Sequence, residues 1–465
     1  MIRFFGHYIP RSILVLLTLE VVIFAGSIYA GTALRLMNAG DVPYASVGDL
    51  FPRAGVFAGV MMLLMTIFGL YDNWEWEGGM RGMMLRLSIA ATFGFILMTL
   101  VFYLVPDIFL GRGAFALAFI IAISASTLVR LLMFKWADLD SLKRRVLILG
   151  TGSRAAKISA LLEKRGMGNG LNVVGYLPLG GTHHFVDSAK ILDDKDRLVD
   201  LAKRLGISEI VVAIRDRRGG LPLEELLACK LIGIRITELS TFFEREAGQL
   251  QLETLNAGWM IHSEGFQAGL ARDINKRIFD LCASSLLLLA ALPVMAVAAM
   301  LVFLEDGFPV IYRQERVGQN DQVFTIYKFR SMRNDAEKGG TPKWAAQHDD
   351  RITRVGRILR KLRIDELPQI FNVFKGDMSF VGPRPERPYF VEKLAEEIPY
   401  YKCRHSVKPG ITGWAQVRYA YGASIEDSLE KLQYDLYYVK NHSVFLDFMI
   451  LFQTVQVVLW GKGAR

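Results

Sequence analysis

The stretch LCASSLLLLAALPVMAVAAMLVFL, residues 281–304, is a long apolar run with a single proline near its middle. As a straight helix its 24 residues would reach about 36 Å, which is enough to cross the hydrocarbon core of a bilayer. Pro293 removes a backbone hydrogen bond and bends the helix. The run is therefore either a kinked membrane span or a re-entrant helix that enters the bilayer, bends at Pro293 and leaves on the same side.

The charges that flank this run favour the re-entrant form. Lys276 and Arg277 precede it and a basic segment follows it, and both prefer the headgroups of the cytoplasmic leaflet. A crossing would also separate residues 308–465 from the α/β module that precedes the run. We therefore predict a re-entrant helix over residues 276–306, with Pro293 as the helix break.

Four further apolar segments come earlier in the chain, and each is close to the ~20 residues that a helix needs to cross the hydrocarbon. They lie at about residues 12–33, 54–71, 84–105 and 114–134. Basic residues cluster before the first segment, between the second and third, and after the fourth. By the positive-inside rule, this pattern places the N-terminus and the chain after residue 136 in the cytoplasm. Residues 1–136 are therefore predicted to form a bundle of four transmembrane helices.

The composition supports a membrane protein with anionic partners. Of the 465 residues, 52% are hydrophobic, and the mean hydropathy of +0.28 is too apolar for a soluble globule. The formal charge of +9 favours membrane lipids or a phosphorylated ligand as partners rather than nucleic acid, because the apolar segments already place the chain at a membrane. The three cysteines are widely spaced, which argues against a disulfide framework. No further metal ligands accompany the pair His183-His184, so we expect these histidines to lie in a loop and not in a metal site.

Residues 137–255 are predicted to form a small Rossmann-like α/β module. The segment RRVLILGTGSRAAKISALLEK reads as a strand, a glycine-rich turn and a helix, and Gly150, Gly152 and Ala155 match the fingerprint G-x-G-x-x-A. Three further strand-like runs alternate with helical segments. No acidic residue follows the second strand to bind a ribose, so we expect a degenerate, CoA-binding-like module that serves regulation or assembly.

Residues 270–465 are predicted to form a catalytic domain of mixed α/β structure. The segment YRQERVGQNDQVFTIYKFRSM (312–332) predicts a hairpin. The segment ILRKLRIDELPQIFNVF (358–374) predicts an amphipathic helix that is interrupted near Pro368. A last apolar run at 443–460 contains an aspartate and two glutamines, which favours an interfacial helix over another span.

An acidic pair lies among basic residues in this domain. Asp365 and Glu366 are adjacent, Arg360 precedes them, and Arg384 follows between two prolines. Adjacent carboxylates repel each other, so both stay ionised only if cations lie close. Arginines supply those cations and bind phosphate oxygens, and Mg²⁺ takes one or two carboxylates together with substrate phosphates. The set predicts attack on a phosphoryl group, whereas solvated surface charges are the alternative for an isolated pair.

Five motifs follow one another in this domain: KFRSM (328–332), DELPQ (365–369), GDMSFVGPRP (376–385), PGITGWAQV (409–417) and YDLYYV (434–439). Together they closely resemble the polyprenyl-phosphate hexose-1-phosphate transferases, the bacterial sugar transferases that start exopolysaccharide, capsule or O-antigen assembly. The resemblance extends over the whole chain to the large members of that family. Those members have four spans, a Rossmann-like module and a catalytic domain with a re-entrant helix.

The resemblance implies a reaction in two steps. Asp365 attacks the sugar-bearing phosphate of a UDP-sugar and expels UMP, and undecaprenyl phosphate then takes the phosphosugar from Asp365. Glu366 matches the partner that holds Mg²⁺ and tunes the aspartate. Arg360 and Arg384 match phosphate-binding arginines.

Three further residues match motif positions with supporting roles in substrate binding or architecture: Lys328, Arg330 and Asp435. The resemblance also implies a multi-pass protein of the bacterial inner membrane, with its catalytic domain on the cytoplasmic face, and a homodimer. It leaves the identity of the sugar and of the polysaccharide open.

The chain departs from the common pattern of the family, and two other functions remain open. Leu292 precedes Pro293 where many relatives have serine, Arg363 replaces a frequent serine or threonine, and RYAYGAS follows GWAQV in place of an NGRN-type segment. A membrane nucleotide-sugar dehydratase would use the spacing of Tyr389 and Lys393, but the sequence has no second glycine-rich turn for it. A non-catalytic membrane scaffold or sensor would need no acidic pair.

Overall fold

The computed structural model describes most of the chain, and the chain divides into two compact units. The N-terminal unit contains Met1–Ile2 and Tyr8–Ala247, and the C-terminal unit contains Arg3–His7 and Gly248–Arg465. His183 and His184 lie outside the described residues. Those residues are 2–4, 6–38, 49–71, 79–137, 143–165, 170–179, 185–192, 196–214, 221–254, 265–266, 269–333, 351–419, 422 and 424–460.

Long apolar helices form at each of the four segments that the sequence predicted near the N-terminus. They are α1 (Arg11–Asn38), α2 (Leu50–Ile67), α3 (Gly79–Leu104) and α4 (Arg112–Ala137), and each is long and apolar enough to cross a membrane. Two short strands, β1 (Ile2–Phe4) and β2 (His7–Ile9), precede them and pair with each other. The sequence did not predict these strands, because three residues are too few to show an alternating pattern.

A buried ion pair joins α1 to α4. Nε of Arg130 lies 2.7 Å from Oε1 of Glu20, and both side chains are almost completely buried. Arg130 also donates to the carbonyl of Leu70, and Ser126 and Tyr71 donate to Glu20. Charged residues inside apolar helices are stable only when they are paired in this way, so the network fixes how these helices pack.

The predicted Rossmann-like module is a parallel sheet of four strands with the order β4-β3-β5-β6. Alternate side chains of the central strand enter two separate hydrophobic clusters, one on each face of the sheet, as a strand covered on both faces requires. The strands are β3 (Arg144–Leu149), β4 (Leu171–Leu177), β5 (Glu209–Val212) and β6 (Arg235–Glu238). The helices are α5 (Ser153–Arg165), α6 (Leu198–Arg204), α7 (Leu223–Leu231) and α8 (Leu239–Ala247).

The proline-containing run belongs to one long helix, α9 (Leu270–Asp306), which has 37 residues and begins before the predicted position. A straight helix of that length would measure about 55 Å. Its first turns bind the rest of the C-terminal unit, since Arg277 donates to the carbonyls of Val373 and Phe374 at 2.6 and 2.7 Å. Its last turn does so too, since the carboxylate of Glu305 accepts the backbone N–H of Arg354 at 2.8 Å.

The rest of the C-terminal unit is of mixed α/β structure. The predicted hairpin is the antiparallel pair β7 (Ile311–Val317) and β8 (Val323–Phe329), and β9 (Ser379–Val381) pairs in parallel with β10 (Gly410–Thr412). The helices after α9 are α10 (Arg354–Lys361), α11 (Ile370–Lys375), α12 (Pro388–Glu397), α13 (Trp414–Arg418), α14 (Ile425–Asn441) and α15 (Val444–Trp460).

The amphipathic helix predicted over residues 358–374 is not continuous. It ends at Lys361, and a 3-10 helix over Ile364–Gln369 joins it to α11. The break comes at Arg363, which adopts a left-handed conformation with φ of +55°, and not at Pro368. Non-glycine residues rarely adopt this conformation without support from surrounding contacts, so no local pattern predicts the position of the break.

Residues from the start of the chain complete the core of the C-terminal unit. His7 Nδ1 lies 2.7 Å from the hydroxyl of Tyr437, and the His7 ring packs edge-on against Trp414. The Trp414 indole N–H donates to the carbonyl of Gly248 at 2.7 Å, and Leu250 is completely buried in the same core. The core thus combines segments that precede and follow α9.

Helix α15 uses its polar residues differently from the prediction. Asp447 is completely buried and accepts hydrogen bonds from Lys276 at 2.8 Å and from the hydroxyl of Tyr438 at 2.8 Å. Gln453 is also buried. These side chains therefore face the protein core and not the aqueous side of a membrane surface, and an interfacial location of α15 remains a prediction.

Candidate active site

The predicted acidic pair lies on the 3-10 helix that follows α10. Asp365 and Glu366 are 9% and 8% exposed, so neither is a solvated surface charge. The left-handed turn at Arg363 ends α10 and directs the next residues inward. Burial of two adjacent carboxylates is unfavourable unless cations accompany them, and the structure supplies those cations from separate segments of the chain.

Glu366 binds two of these cations. Its Oε1 accepts hydrogen bonds from Nζ of Lys328 at 2.9 Å and from Nη2 of Arg384 at 2.6 Å. Although burial opposes it, the charges of Arg384 and Lys328 hold the pKa of Glu366 well below its ordinary value. Burial lowers the pKa of Lys328, and Glu366 partly offsets that effect. Glu366 is therefore a fixed anion that positions a lysine and an arginine.

Asp365 lies beside this cluster with a carboxylate that accepts no hydrogen bond from the described residues. Burial and then the charge of Glu366 raise the pKa of Asp365 to about 6, while Lys328, Arg360 and Arg384 act in the opposite direction. At neutral pH the side chain is thus an ionised carboxylate whose oxygens are available to react. A poorly solvated anion among cations suits a nucleophile that attacks a phosphate.

Arg360 is the other predicted phosphate-binding residue close to Asp365. Its Nη1 is buried and has no hydrogen-bond partner among the described residues. The charge of Arg360 acts on Asp365, as its effect on the pKa of that carboxyl shows. A buried guanidinium N–H without an acceptor is unfavourable, so this group is ready to bind an anion that enters beside Asp365.

The loop that carries Arg384 is held by close backbone packing. A Cβ atom at Gly382 would lie 2.3 Å from the carbonyl oxygen of Lys408, and one at Gly410 would lie 2.0 Å from the nitrogen of Gly382. Only glycine fits at these two positions, which explains their place in the GPRP and PGITG motifs. Arg316 Nη1 also donates to the carbonyl of Pro385 at 3.0 Å. The close packing fixes the direction of Arg384 toward Glu366.

Two predicted supporting residues bind neighbouring protein groups. Asp435 is buried on α14 and lies 2.8 Å from Nη2 of Arg404, which also donates to the carbonyl of Arg384 at 2.8 Å. Arg330 donates to the carbonyls of Asp306 and Gly307 at the end of α9. Both contacts are architectural, and a role of either residue in substrate binding remains a prediction.

We expect Asp435→Asn to destabilise the C-terminal unit. The change removes the charge that balances the buried guanidinium of Arg404, and loss of one partner from a buried ion pair costs roughly 3–5 kcal/mol. Thermal unfolding of the purified protein in detergent measures the effect, and Asp273→Asn, at an exposed aspartate of α9, is the matched control. Unchanged stability together with a loss of nucleotide affinity would instead place Asp435 in contact with the substrate.

A magnesium ion fits this site only as a partner of the substrate phosphates. Among the described residues, no three histidine, cysteine or acidic side chains lie close enough to hold a metal ion. From the described residues, Oε2 of Glu366 has one long contact, at 3.4 Å from Arg384, and the carboxylate of Asp365 accepts no hydrogen bond. These oxygens match the one or two carboxylates that Mg²⁺ takes beside phosphate. Bound there, the ion would neutralise negative charge on the phosphates.

Arg316, Arg404 and His405 are neighbours of the site that the sequence reasoning missed. Arg316 and Arg404 hold the loop of Arg384 through the backbone contacts given above. His405 lies next to Arg404 on a 3-10 helix over Tyr401–Ser406. The only signal in the sequence was their place near recognised motifs, since Arg316 lies at the end of the first strand of the hairpin and Arg404 and His405 lie shortly before KPGITG.

Known proteins are similar to two parts of this chain. Residues 271–461 match the model of the bacterial sugar transferase family, and residues 66–219 match that of a CoA-binding domain. A putative undecaprenyl-phosphate N-acetylgalactosaminyl 1-phosphate transferase of Bacillus subtilis (strain 168) is 50% identical over 145 residues, which cover 31% of this chain and 80% of the relative. The chain belongs to the bacterial sugar transferase family.

Two other relatives of this sugar transferase align over longer ranges, which extend beyond the C-terminal unit. A UDP-N-acetylgalactosamine-undecaprenyl-phosphate N-acetylgalactosaminephosphotransferase of Aeromonas hydrophila is 40% identical over 294 residues, 62% of this chain and 66% of the relative. A UDP-glucose:undecaprenyl-phosphate glucose-1-phosphate transferase of Xanthomonas campestris pv. campestris is 33% identical over 337 residues, 69% of this chain and 68% of the relative. The chain thus spans about two thirds of the length of these two proteins.

The dehydratase alternative does not match the structure of the sugar transferase. Tyr389 and Lys393 are both exposed on α12. In the described part of the C-terminal unit, the strands form only two-stranded sheets, so no second dinucleotide-binding sheet is present there. The scaffold alternative gives no reason for the buried carboxylate of Asp365 and the buried Nη1 of Arg360, neither of which has a hydrogen-bond partner among the described residues.

Proposed function

We propose that this protein transfers a sugar 1-phosphate from a UDP-sugar to undecaprenyl phosphate and so starts the synthesis of a polysaccharide. A carboxylate oxygen of Asp365 attacks the phosphorus that carries the sugar. The bond from that phosphorus to the oxygen bridging the two phosphates breaks, and UMP leaves with the electron pair. An oxygen of undecaprenyl phosphate then attacks the same phosphorus and releases the carboxylate of Asp365.

The observation that carries this proposal is the difference between the two adjacent carboxylates. Glu366 is bound by Lys328 and Arg384, while Asp365 has none of these contacts and a pKa raised to about 6. Arg384 and Arg360 lie where they can bind the phosphate oxygens that gain charge as the bonds change. The names of these two relatives include a UDP-sugar and undecaprenyl phosphate, which supports the choice of donor and acceptor.

The surface around the site favours an acceptor that arrives in a membrane. On α10, directly before the acidic pair, Ile358 and Leu362 are 60% and 53% exposed. On α9, exposed leucines occupy the central turns, and Leu289 is 77% exposed. A group of large, exposed apolar side chains on two neighbouring helices is typical of a surface that contacts lipid. This surface supports the proposal that the phosphate of a polyprenyl lipid reaches Asp365 from the membrane.

The contacts of α9 support a re-entrant helix. Leu250, before α9, donates its backbone N–H to the carbonyl of Gln433, after α9, at a distance of 3.0 Å. Segments that share one core lie on the same side of a membrane, and this supports an α9 that enters and leaves the bilayer on one side. Residues 3–7 belong to the same unit, which requires an even number of crossings before residue 248. Four spans meet that requirement. Because UDP-sugars are cytoplasmic, the proposal puts this unit at the cytoplasmic face of the inner membrane.

This topology can be tested by labelling single cysteines. In a variant whose native cysteines, Cys229, Cys282 and Cys403, are replaced by serine, we expect cysteines placed near residue 265 and at the C-terminus to react on the cytoplasmic side. Pro293→Ala should lower transfer activity by at least about tenfold, because a proline inside a helix favours the bend that the proposal requires, and alanine removes that preference. Reaction of the two introduced cysteines on opposite sides of the membrane would contradict the proposal.

The reaction itself is tested by incubating the purified protein with undecaprenyl phosphate and a panel of UDP-sugars. We expect UMP to be released with one or a few of these sugars, and only slowly when undecaprenyl phosphate is absent. No UMP from any common UDP-sugar under conditions where the protein is folded would contradict the proposal. The same panel identifies the sugar, and the mass of the purified protein in detergent tests the expected homodimer.

A further inference from the structure

Helix α10 carries two kinds of exposed side chain next to each other. Its inner face is apolar and buried, since Leu359 is 3% exposed and packs with Ala298 and Val302 of α9. On its outer face, Ile358 and Leu362 are exposed one turn apart. Three exposed cations, spaced for one side of a helix, lie beside these two residues and are called the basic stripe here: Arg354, Arg357 and Lys361.

The start of α10 is fixed at the end of α9. The carboxylate of Glu305 accepts the backbone N–H groups of Arg354 and Val355 at 2.8 and 3.0 Å. Glu305 and Asp306 are the first charged residues after the apolar run of α9, and Leu304 before them is 69% exposed. A helix that holds such a run in a bilayer brings its first charged residues to the level of the headgroups. Helix α10 therefore begins at that level.

The basic stripe is available to bind anions. Among the described residues, none of its three side chains forms an ion pair. Arginine and lysine bind phosphate oxygens by charge-assisted hydrogen bonds. A soluble phosphate would use only these cations, whereas a phospholipid would also place its acyl chains beside Ile358, Leu362 and the exposed leucines of α9. Cations and apolar side chains on one helix face thus fit an anionic lipid.

We propose that α10 binds anionic phospholipids of the bilayer, with the basic stripe on their headgroups and Ile358 and Leu362 at the start of their acyl chains. Asp365 follows α10 closely, so this contact holds the candidate nucleophile at the membrane surface and supports the reaction there. A zwitterionic headgroup carries its own ammonium group beside the phosphate, which the stripe repels. Each cation near an anionic surface strengthens binding about fivefold, so the site selects lipids of net negative charge.

The test uses the full-length protein in vesicles with a trace of a photoactivatable lipid, either a phosphatidylglycerol or a phosphatidylcholine with the same reactive group. Peptide mass spectrometry measures how much of each probe attaches to residues 354–362. We expect the phosphatidylglycerol probe to label this range at least about fivefold more than the phosphatidylcholine probe. The difference should shrink at high salt, which screens exposed charges.

The rate of UMP release is the second measurement, and it alone rests on the proposed function. In the wild type, we expect release to be at least about threefold faster in vesicles that contain phosphatidylglycerol than in vesicles of phosphatidylcholine alone. A triple variant with glutamine at each position of the basic stripe should lose both the preference for the phosphatidylglycerol probe and the difference in rate. Glutamine is a good helix former and these positions are exposed, so the variant should fold.

Two control variants separate the lipid site from a general effect of charge. Replacing both arginines of the basic stripe by lysine keeps the three charges and should keep the labelling preference and the difference in rate. A second triple variant, which removes three exposed cations from other elements, should behave like the wild type: Arg197→Gln, Lys393→Gln and Lys402→Gln.

Equal labelling by the two probes in the wild type overturns the proposal, and so does a preference that the glutamine variant of the basic stripe keeps. Loss of the phosphatidylglycerol label when undecaprenyl phosphate is added at the concentration of the probe, in an excess of unlabelled phosphatidylglycerol, also overturns it, because the stripe would then bind the acceptor. A wild-type rate that does not depend on phosphatidylglycerol overturns the link to the active site.

Failure of this proposal can be distinguished from failure of the proposed function, because labelling does not require the reaction. If phosphatidylglycerol labels α10 selectively but no UDP-sugar releases UMP, the lipid site stands and the proposed function is wrong. If UMP is released but the two probes label α10 equally, the reaction stands and the lipid site is wrong.

Discussion

Asp365→Asn is expected to lower the rate of UMP release by at least about a thousandfold, because an amide cannot form the phosphosugar intermediate and loss of a covalent nucleophile has effects of this size. The rate is measured with the purified protein, undecaprenyl phosphate and the UDP-sugar that the wild type uses best. Asp273→Asn, an exposed aspartate of α9 in the same unit, should retain the wild-type rate. A rate of Asp365→Asn within tenfold of wild type would exclude Asp365 as the nucleophile.

The same variant should be no less stable than the wild type. In the folded protein the pKa of Asp365 is raised from 3.8 to about 6, so the folded state binds the proton more tightly than the unfolded state. Ionisation of this group therefore disfavours folding increasingly as the pH rises from about 4 to above 6. A neutral amide removes that effect. A midpoint of thermal unfolding at pH 7 that is equal or higher would show that the lost activity is chemical and not a loss of fold.

Glu366→Gln is expected to lower the rate by at least about a hundredfold, because the amide no longer holds Lys328 and Arg384 by charge. Lys328 and Arg384 are then free to pair with Asp365. The carboxylate of Asp365 therefore competes with the substrate phosphates for these two cations. The concentration of Mg²⁺ required for half-maximal rate should also change, since Oε2 of Glu366 is one of the oxygens suited to the ion. Glu392→Gln, an exposed residue of α12, is the matched control.

A pH profile distinguishes these effects from a general loss of structure. In the wild type, kcat/KM should rise as Asp365 ionises, with an apparent pKa of about 6. The charge of Glu366 is one cause of that raised pKa, after burial. In Glu366→Gln the profile should therefore move to lower pH. If the variant kept the pH profile and the Mg²⁺ requirement of the wild type, Glu366 would affect neither the pKa of Asp365 nor the binding of Mg²⁺.

The sequence allowed the members of the site to be predicted, but not the division of roles between them. Asp365, Glu366 and Arg384 could be found because recognised motifs carry them, and Lys328 because it begins another motif. The structure adds that Glu366 takes both cations while Asp365 takes neither. This difference between the two carboxylates depends on side-chain directions that the turn at Arg363 sets. No local sequence pattern predicts the positive φ of that residue.

Contacts between distant segments account for most of what the sequence did not reveal. Arg404 reaches Asp435 and the carbonyl of Arg384 from a short 3-10 helix that carries no strong pattern of its own. Glu20 and Arg130 are 110 positions apart in the chain, and their ion pair joins α1 to α4. Apolar runs, in contrast, were predicted within a few residues, because length and hydropathy alone define them. Periodicity identifies elements, whereas pairing between elements requires the fold.

The packing of His7 against Tyr437 has a consequence for the order in which the chain folds. The two residues are 430 positions apart, so at ~5–20 residues per second the ribosome needs roughly 20–90 s to add the second after the first. During that time residues 3–7 have no core to enter, although α1 follows them directly. The C-terminal unit can close only when α14 has left the ribosome. A nascent chain arrested before that helix should therefore leave its N-terminal segment open to proteases, and the segment should become protected only once synthesis has passed α14.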